Sequence, residues 1–267
     1  MKSKRLADLY LDSRRIVVTA HRGFSAKYPE NTIPAFIAAV ETGADIIELD
    51  LRGTRERVPV VLHDPHLNRT SNGSGNVGDY SLTQLKELDF SYHWKQEGND
   101  PLLLGSSTRV PIPTFEETLG SISESVGMNI QVKEADPLLL NRICSVFDRY
   151  DLYQRAYLTI STFSDAAAVR RINPKIDLCV LERKLPLDYT MLQRMKEFGC
   201  RFLQPHRRDV TAQLCRRIRE MGFWANLFYS NTDQDNRRFI GYGIQGILTD
   251  APDILIHTIR DLGLPFS

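Results

Sequence analysis

Apolar residues recur along this chain in two periods, and the alternation between them outlines a repeated fold. Ile16-Val17-Val18-Thr19-Ala20 is a β-branched run that predicts a strand over 16–20. Pro29, Asn31 and Thr32 then read as a helix start, and Ala35, Phe36, Ala39 and Val40 follow at helical spacing until Gly43. Ala44-Asp45-Ile46-Ile47-Glu48-Leu49-Asp50 predicts strand two over 45–50. The next apolar run, Val58-Pro59-Val60-Val61-Leu62, begins only about seven residues later. A parallel crossover needs roughly a dozen or more residues, so this run is expected to fold back on strand two as a hairpin.

Residues 64–110 read as an insertion. Asn72-Gly73-Ser74-Gly75-Asn76 and Gly78-Asp79 are turn chemistry, and Ser81 caps a short helix over 81–88. Residues 91–109 are polar and irregular, with Gly98, Pro101, Gly105, Ser106 and Ser107. From Thr114 the pattern is regular. Helices over 114–126, 138–150, 163–172, 188–198, 209–221, 233–241 and 253–262 alternate with strands over 128–132, 156–160, 177–181, 201–204, 223–228 and 245–249. With the hairpin run left out, the strands number eight, which predicts an α/β fold, a (β/α)₈ barrel, with residues 1–267 as one domain. An open doubly wound sheet is the alternative, but no G-x-G-x-x-G opens it. Leu6, Leu9 and Tyr10 sit at helical spacing and would suit a short helix plugging the bottom of a barrel, or a frayed tail.

The totals narrow the class. A chain of 267 residues can bury a substantial core without a staple. Its net charge of +1 gives no strong pull to nucleic acid or membrane. The basic pairs Arg207-Arg208 and Arg216-Arg217 read as solvated helix faces. Cys144, Cys179, Cys200 and Cys215 are far apart and read as reduced thiols. The basic N-terminal stretch lacks an apolar h-region and no apolar run is long enough to span a bilayer, so a cytoplasmic protein is the expectation.

In a barrel of this kind, function gathers at the C-terminal strand ends. His21 ends strand one and His63 ends the hairpin. Glu48 and Asp50 end strand two and, by alternation, share a face. Two carboxylates so placed repel unless a proton or cation lies between them, and hard divalent cations take oxygen ligands. The bland alternative is one surface carboxylate and one ion-paired carboxylate. Gln131 and Lys133 share a face at the end of the next parallel strand, and Ser161, Asn226 and Asp250 fall at later strand ends. Asp64 and Asp250 each lie near a proline and read as turn or cap residues, not as ligands.

The ordered motifs His21-Arg22-Gly23, Pro29-Glu30-Asn31-Thr32, Gly43-Ala44-Asp45-Ile46-Ile47-Glu48-Leu49-Asp50, the Thr54 of Arg52-Gly53-Thr54, and Val60-Val61-Leu62-His63-Asp64 resemble the glycerophosphodiester phosphodiesterase family. So do the segment 67–75 and the later segments Pro113–Leu119, Ser161-Thr162-Phe163 and Gly246–Asp253, so the likeness covers nearly the whole chain. It implies a barrel enzyme that hydrolyses glycerophosphodiesters to an alcohol and glycerol 3-phosphate with Mg²⁺ or Ca²⁺. Phosphodiester cleavage needs charge stabilised on the phosphoryl oxygens, a nucleophile deprotonated and a leaving alkoxide protonated. His21 and His63 are the candidate acid–base pair, and Arg22 and Lys133 the candidate phosphate contacts. Lys133 could instead simply pair with Glu48 or Asp50.

By the resemblance, Glu48 and Asp50 hold the metal, and Gln131 stands where the family has a third carboxylate. The family's Trp-Thr-Val-Asn segment is matched to Phe223-Trp224-Ala225-Asn226, which makes Trp224 and Asn226 candidate substrate contacts, with Phe223 or Trp224 in the aromatic role. Gln131 keeps open a catalytically weakened, phosphodiester-binding barrel. A lysophospholipid-cleaving enzyme is a further alternative. An exposed apolar rim made by Phe90, Tyr92, Trp94 and Leu102-Leu103-Leu104 would favour it.

Overall fold

The computed structural model describes residues 5–105 and 109–266. Met1–Lys4 of the basic N-terminal stretch, and Ser106 and Ser107 of the irregular stretch, lie outside the described residues. Nine strands form one sheet. They are β1 (Val17–Ala20), β2 (Ile46–Gly53), β3 (Pro59–Val61), β4 (Gly127–Val132), β5 (Ala156–Ile160), β6 (Leu178–Val180), β7 (Phe202–Leu203), β8 (Trp224–Leu227) and β9 (Gly246–Thr249). The order is β6-β5-β4-β2-β1-β9-β8-β7, with β3 off the path and paired to β2. The ends of the path, β6 and β7, are consecutive in the chain and lie side by side, so eight parallel strands make a nearly closed barrel.

The hairpin expected after strand two is present: β3 runs antiparallel to β2 with Leu51 opposite Val61 and Gly53 opposite Pro59. Thr54 closes it, its hydroxyl accepting from Val58 N at 3.1 Å. The turn is too short to carry a helix, which is why the chain reverses instead of crossing over. Beyond β3 the chain builds a lobe over its own small core of Val60, Leu62, Leu67, Val77, Leu85, Phe90 and Ile112. The stretch 91–109 is less irregular than its composition suggests. It contains the short helix Tyr92–Gln96 and a 3₁₀ turn at Pro101–Leu104. The helix buries no residue and has no side-chain cap, so neither periodicity nor capping chemistry announces it.

Helices on the outside cover the barrel. Thr32 caps the first, Ile33–Thr42, and Gly43 ends it in the left-handed conformation. Helix Phe115–Ser121 carries a Thr114/Glu117 capping box and stops earlier than the predicted 126. Helix Ala212–Glu220 starts at its Thr211 cap and not at 209, and outside it Arg207 pairs with Asp235. Outward-facing strand residues such as Val18, Ile47, Leu49, Ile130 and Leu158 pack beneath these helices in the main core.

The two ends of the barrel interior differ in kind. At the N-terminal end, Leu6, Leu9 and Tyr10 of the short helix Leu6–Leu9 and its C-cap pack with Val17, Ile46, Tyr157, Cys179 and Phe202. They plug the barrel as expected. Tyr10 stacks on Trp224 with ring centroids 5.3 Å apart, and Tyr157 on Phe202 at 3.8 Å. At the other end the inward positions are ionisable. Among the described residues no helix is long and apolar enough to cross a membrane.

Candidate active site

The loop after β1 begins the site. His21 follows Ala20, and Arg22 takes a left-handed backbone, φ 56°, which turns its N–H onto Glu48 Oε2 at 3.0 Å. Gly23 is needed next: its φ is +81° and a Cβ there would lie 2.7 Å from the Ala35 backbone. Asn31 is also left-handed, φ 57°. It does not serve the helix start, which Thr32 does. Its amide donates to Asp50 Oδ2 at 2.9 Å and its carbonyl accepts from Asp50 N at 3.3 Å. Non-glycine residues held in this region mark a conformation the surroundings enforce.

Each histidine has its own carboxylate. His21 Nδ1 lies 2.7 Å from Asp250 Oδ1, and His63 Nδ1 lies 2.6 Å from Asp64 Oδ1. Both rings therefore leave Nε2 for a reacting group. Asp250 is itself fixed, accepting from Asn231 Nδ2 at 2.6 Å and from Ser25 Oγ at 3.0 Å. Asp64 accepts from Arg69 Nε at 2.5 Å. Arg69 also grips both oxygens of Glu30 at 2.7 Å, and Glu30 accepts from Arg22 at 3.0 Å. Arg52 donates to the His63 carbonyl at 2.8 Å. The turn-or-cap reading of Asp64 and Asp250 is thus corrected: both are spent on the histidine rings. A proline nearby is common to a turn residue and a residue placed at a strand end, so the sequence pattern did not separate them.

The environments push the two rings apart. Burial disfavours a charged His21, but the Asp250 hydrogen bond and the field of Glu48 outweigh it and raise its pKa. Burial also disfavours a charged His63, and there it wins over Asp50 and Asp64, so the pKa falls. Glu48 and Asp50 are 1% and 0% exposed. Burial and then the Asp50 charge push Glu48 up to about 7. Asp50 pays the same burial cost, but Lys133 and Arg22 outweigh it and hold its carboxyl below the ordinary range.

Gln131 lies opposite Asp50 in the β2–β4 register. Among the described residues no three His, Cys, Asp or Glu side chains form a metal-binding group. Two observations still fit Glu48, Asp50 and the Gln131 carbonyl to a divalent cation. Asp50 Oδ1 is buried without a hydrogen bond, with Lys133 Nζ at 3.4 Å. Two buried carboxylates sit together, one of them pushed towards its protonated form by burial and then by the charge of the other. A hard cation relieves both conditions. Glu134, next along the strand pair, is turned away, accepting from Gly53 N at 2.6 Å.

The mouth brings together His21, Arg22, Glu48, Asp50, His63, Gln131 and Lys133. It does not include Trp224, which is stacked on Tyr10 at the plugged end. Asn226 is buried lower in the barrel, donating to Tyr157 Oη at 3.2 Å. The match at 223–226 is corrected by register. β8 ends at Leu227, and the chain reaches the mouth only at Phe228-Tyr229-Ser230-Asn231, a second aromatic-x-x-Asn five residues on. Phe228 sits edge-on to His21 with centroids 5.4 Å apart, and Asn231 holds Asp250. Ser161 follows β5 directly and is exposed.

An eight-stranded parallel barrel with ionisable side chains at its strand C-termini has the form of a barrel enzyme. Residues 21–254 match the glycerophosphoryl diester phosphodiesterase family. The chain belongs to that family, and it is a phosphoric diester hydrolase. It is 29% identical over 258 residues to a glycerophosphodiester phosphodiesterase of Caldanaerobacter subterraneus, covering 93% of this chain and 100% of that one. To one of Bacillus subtilis it is 28% identical over 261 residues, covering 94% and 88%. A solved structure from Silicibacter pomeroyi shares the fold with a TM-score of 0.83 at 21% identity, over 97% of this chain and 99% of that one. An Oleispira antarctica phosphodiesterase in complex with the product sn-glycerol-3-phosphate aligns with a TM-score of 0.77 at 23% identity, over 91% and 96%.

Proposed function

We propose that this chain hydrolyses glycerophosphodiesters to an alcohol and glycerol 3-phosphate, with residues 1–267 as one catalytic domain. The observation that carries the reading is the pair of histidines, each tied through Nδ1 to its own aspartate and set around one buried carboxylate pair. The names of the Caldanaerobacter and Bacillus relatives, and the product bound to the Oleispira enzyme, support the substrate class.

In this mechanism the glycerol hydroxyl next to the phosphate attacks phosphorus. His63, the ring kept neutral, takes the hydroxyl proton, and His21, the ring that holds its proton, gives it to the departing alkoxide. The cyclic phosphate so formed is opened by water with the roles reversed: His21 takes the water proton and His63 returns one to the ring oxygen. Arg22 and Lys133 stand beside the phosphoryl oxygens, both already anchored by Asp50. Glu48, Asp50 and Gln131 would hold Mg²⁺ or Ca²⁺, which supplies Lewis-acid stabilisation of the phosphoryl charge. The four cysteines are unbonded thiols, which supports a reducing, cytoplasmic setting.

The test is release of glycerol 3-phosphate from glycerophosphocholine, with EDTA and with added Mg²⁺ or Ca²⁺. Release that EDTA stops and the cation restores is expected; no release under any condition overturns the reading. A second reading, cleavage of lysophospholipids, is favoured by Tyr92, Leu102 and Leu103, which are exposed beside the mouth lobe. Phe90 and Leu104 of the same stretch are buried, so the apolar rim is smaller than the sequence suggested. Lysophosphatidylcholine in the same assay decides between them.

A further inference from the structure

Beside the mouth, a cavity of about 210 Å³ opens between the loop after β1 and the lobe, and two residues on its walls bind the carboxylates that hold the histidines. Ser25, on one wall, donates to the Asp250 that holds His21. Arg69, on another, donates to the Asp64 that holds His63. A group in this cavity is therefore two residues removed from each ring of the acid–base pair, through Ser25 and Asp250 on one side and Arg69 and Asp64 on the other.

The lining has a definite chemistry. Tyr28, Phe90 and Trp94 contribute ring surface. Of the two basic lining residues, Arg69 is paired with both Glu30 and Asp64, so its charge is met within the wall, and His93 stands edge-on to the Tyr92 ring. Lys95, next to Trp94, is paired with Asp89. Glu97 lines the cavity and has no ion pair among the described residues. Thr70 adds a hydroxyl that is buried without a hydrogen bond. Aromatic faces with an uncompensated carboxylate attract a cation that carries apolar methyl groups, because the ring quadrupoles and the anion act together on it.

We propose that this cavity receives the alcohol half of the substrate, and that it selects alcohols bearing a quaternary ammonium, with Trp94 and Glu97 as specificity-determining residues. The proposal rests on the glycerophosphodiesterase reading given above. It names what that reading leaves open, the leaving group.

The experiment compares kcat/KM for glycerophosphocholine and glycerophosphoglycerol in the wild-type protein and in Trp94→Ala and Glu97→Gln. The wild type should favour the choline diester. That ratio should fall roughly threefold to fivefold in Trp94→Ala, the worth of a half-exposed cation–π contact, and roughly twofold in Glu97→Gln. Choline alone should inhibit the wild type competitively and the variants more weakly. Glu97 is exposed, so its conservative variant keeps the test open if Trp94→Ala fails to fold. Equal efficiency on both diesters, or a ratio that neither variant moves, overturns the proposal and leaves the hydrolase reading standing. Release of glycerol 3-phosphate from neither diester overturns both.

Discussion

The mouth and the base of the barrel are built from the same strands, and two inward positions along a strand separate opposite physics. On β2, Ile46 packs in the plug while Glu48 and Asp50 face the site. Near β8, Trp224 stacks on Tyr10 while Phe228, four residues on, stands beside His21. At the base, rings and aliphatic groups fill the space and stability is the product. At the mouth, burial is used against the residues: Glu48 is pushed up to about 7, Asp50 Oδ1 has no hydrogen bond, and Arg22 and Asn31 hold left-handed backbones. Such conditions cost stability, and they persist where the surrounding structure and a ligand offset them.

The largest expected effect lies at the mouth. His21→Ala and His63→Ala should each lower kcat by roughly 10²–10⁴, the worth of a general acid or base, with Tm shifted by only a few degrees. Steady-state release of glycerol 3-phosphate and a thermal melt measure the two halves. Full activity in either variant removes that histidine from the chemistry. The base should answer in the reverse sense. Phe202 is 1% exposed and stacked on Tyr157, so Phe202→Ala should cost about 3–5 kcal/mol in urea unfolding. Its kcat per folded molecule should stay near wild type. A folded Phe202→Ala protein with kcat lost would mean that the two ends are coupled and that the division fails.

The same division explains what could be read from the chain alone. Period and capping are local, so the eight parallel strands, the hairpin and the Tyr10 plug were legible from runs of residues. His21, Glu48, Asp50, His63 and Lys133 were legible because strand ends and alternation place them without knowledge of neighbours. Apart from Asp64, whose partner His63 is its neighbour, what was hidden depends on partners distant in sequence. Asp250 meets His21 across 229 positions, and Arg69 meets Glu30 across 39. Asn31 looked like a helix-start residue because its neighbour Thr32 is one. Trp224 and Asn226 went to the wrong end because an aromatic-x-x-Asn pattern occurs twice, and only the strand's end at Leu227 tells which copy reaches the mouth.

Those hidden carboxylates give an intermediate effect with a sign that differs between them. Asp250→Asn and Asp64→Asn should each lower kcat/KM by ~10–100-fold, the range of one charged hydrogen bond. Asp250 raises the His21 pKa, so its loss lets His21 shed its proton at lower pH. With His21 as the acid of a limiting first step, the alkaline limb of the pH–rate profile should move down and the profile narrow. Asp64 raises the His63 pKa against burial, so its loss lowers that pKa further. With His63 as base, the acidic limb should move down and the profile widen. Identical shifts in the two variants would break the assignment of acid and base, while leaving both histidines in the mechanism.

The smallest effect concerns the third oxygen donor. Gln131 faces Asp50 in register and brings a dipole where a carboxylate would bring a charge. Gln131→Glu adds an anion to a pair that already repels, so the metal-free protein should melt at a lower temperature. With Mg²⁺ or Ca²⁺ present the order should reverse, because the added charge is then met by the cation. The gain in affinity should be only severalfold, about 1 kcal/mol, since burying a third carboxylate consumes much of the attraction it adds. Isothermal calorimetry measures the affinity and the melt measures the crossover, and neither reading needs turnover. Metal bound by three carboxylates is also more fully neutralised and a weaker Lewis acid, so kcat need not rise with affinity. Equal affinities, and melts that do not cross, would place position 131 outside the metal's ligands and leave Glu48 and Asp50 as its protein anchors.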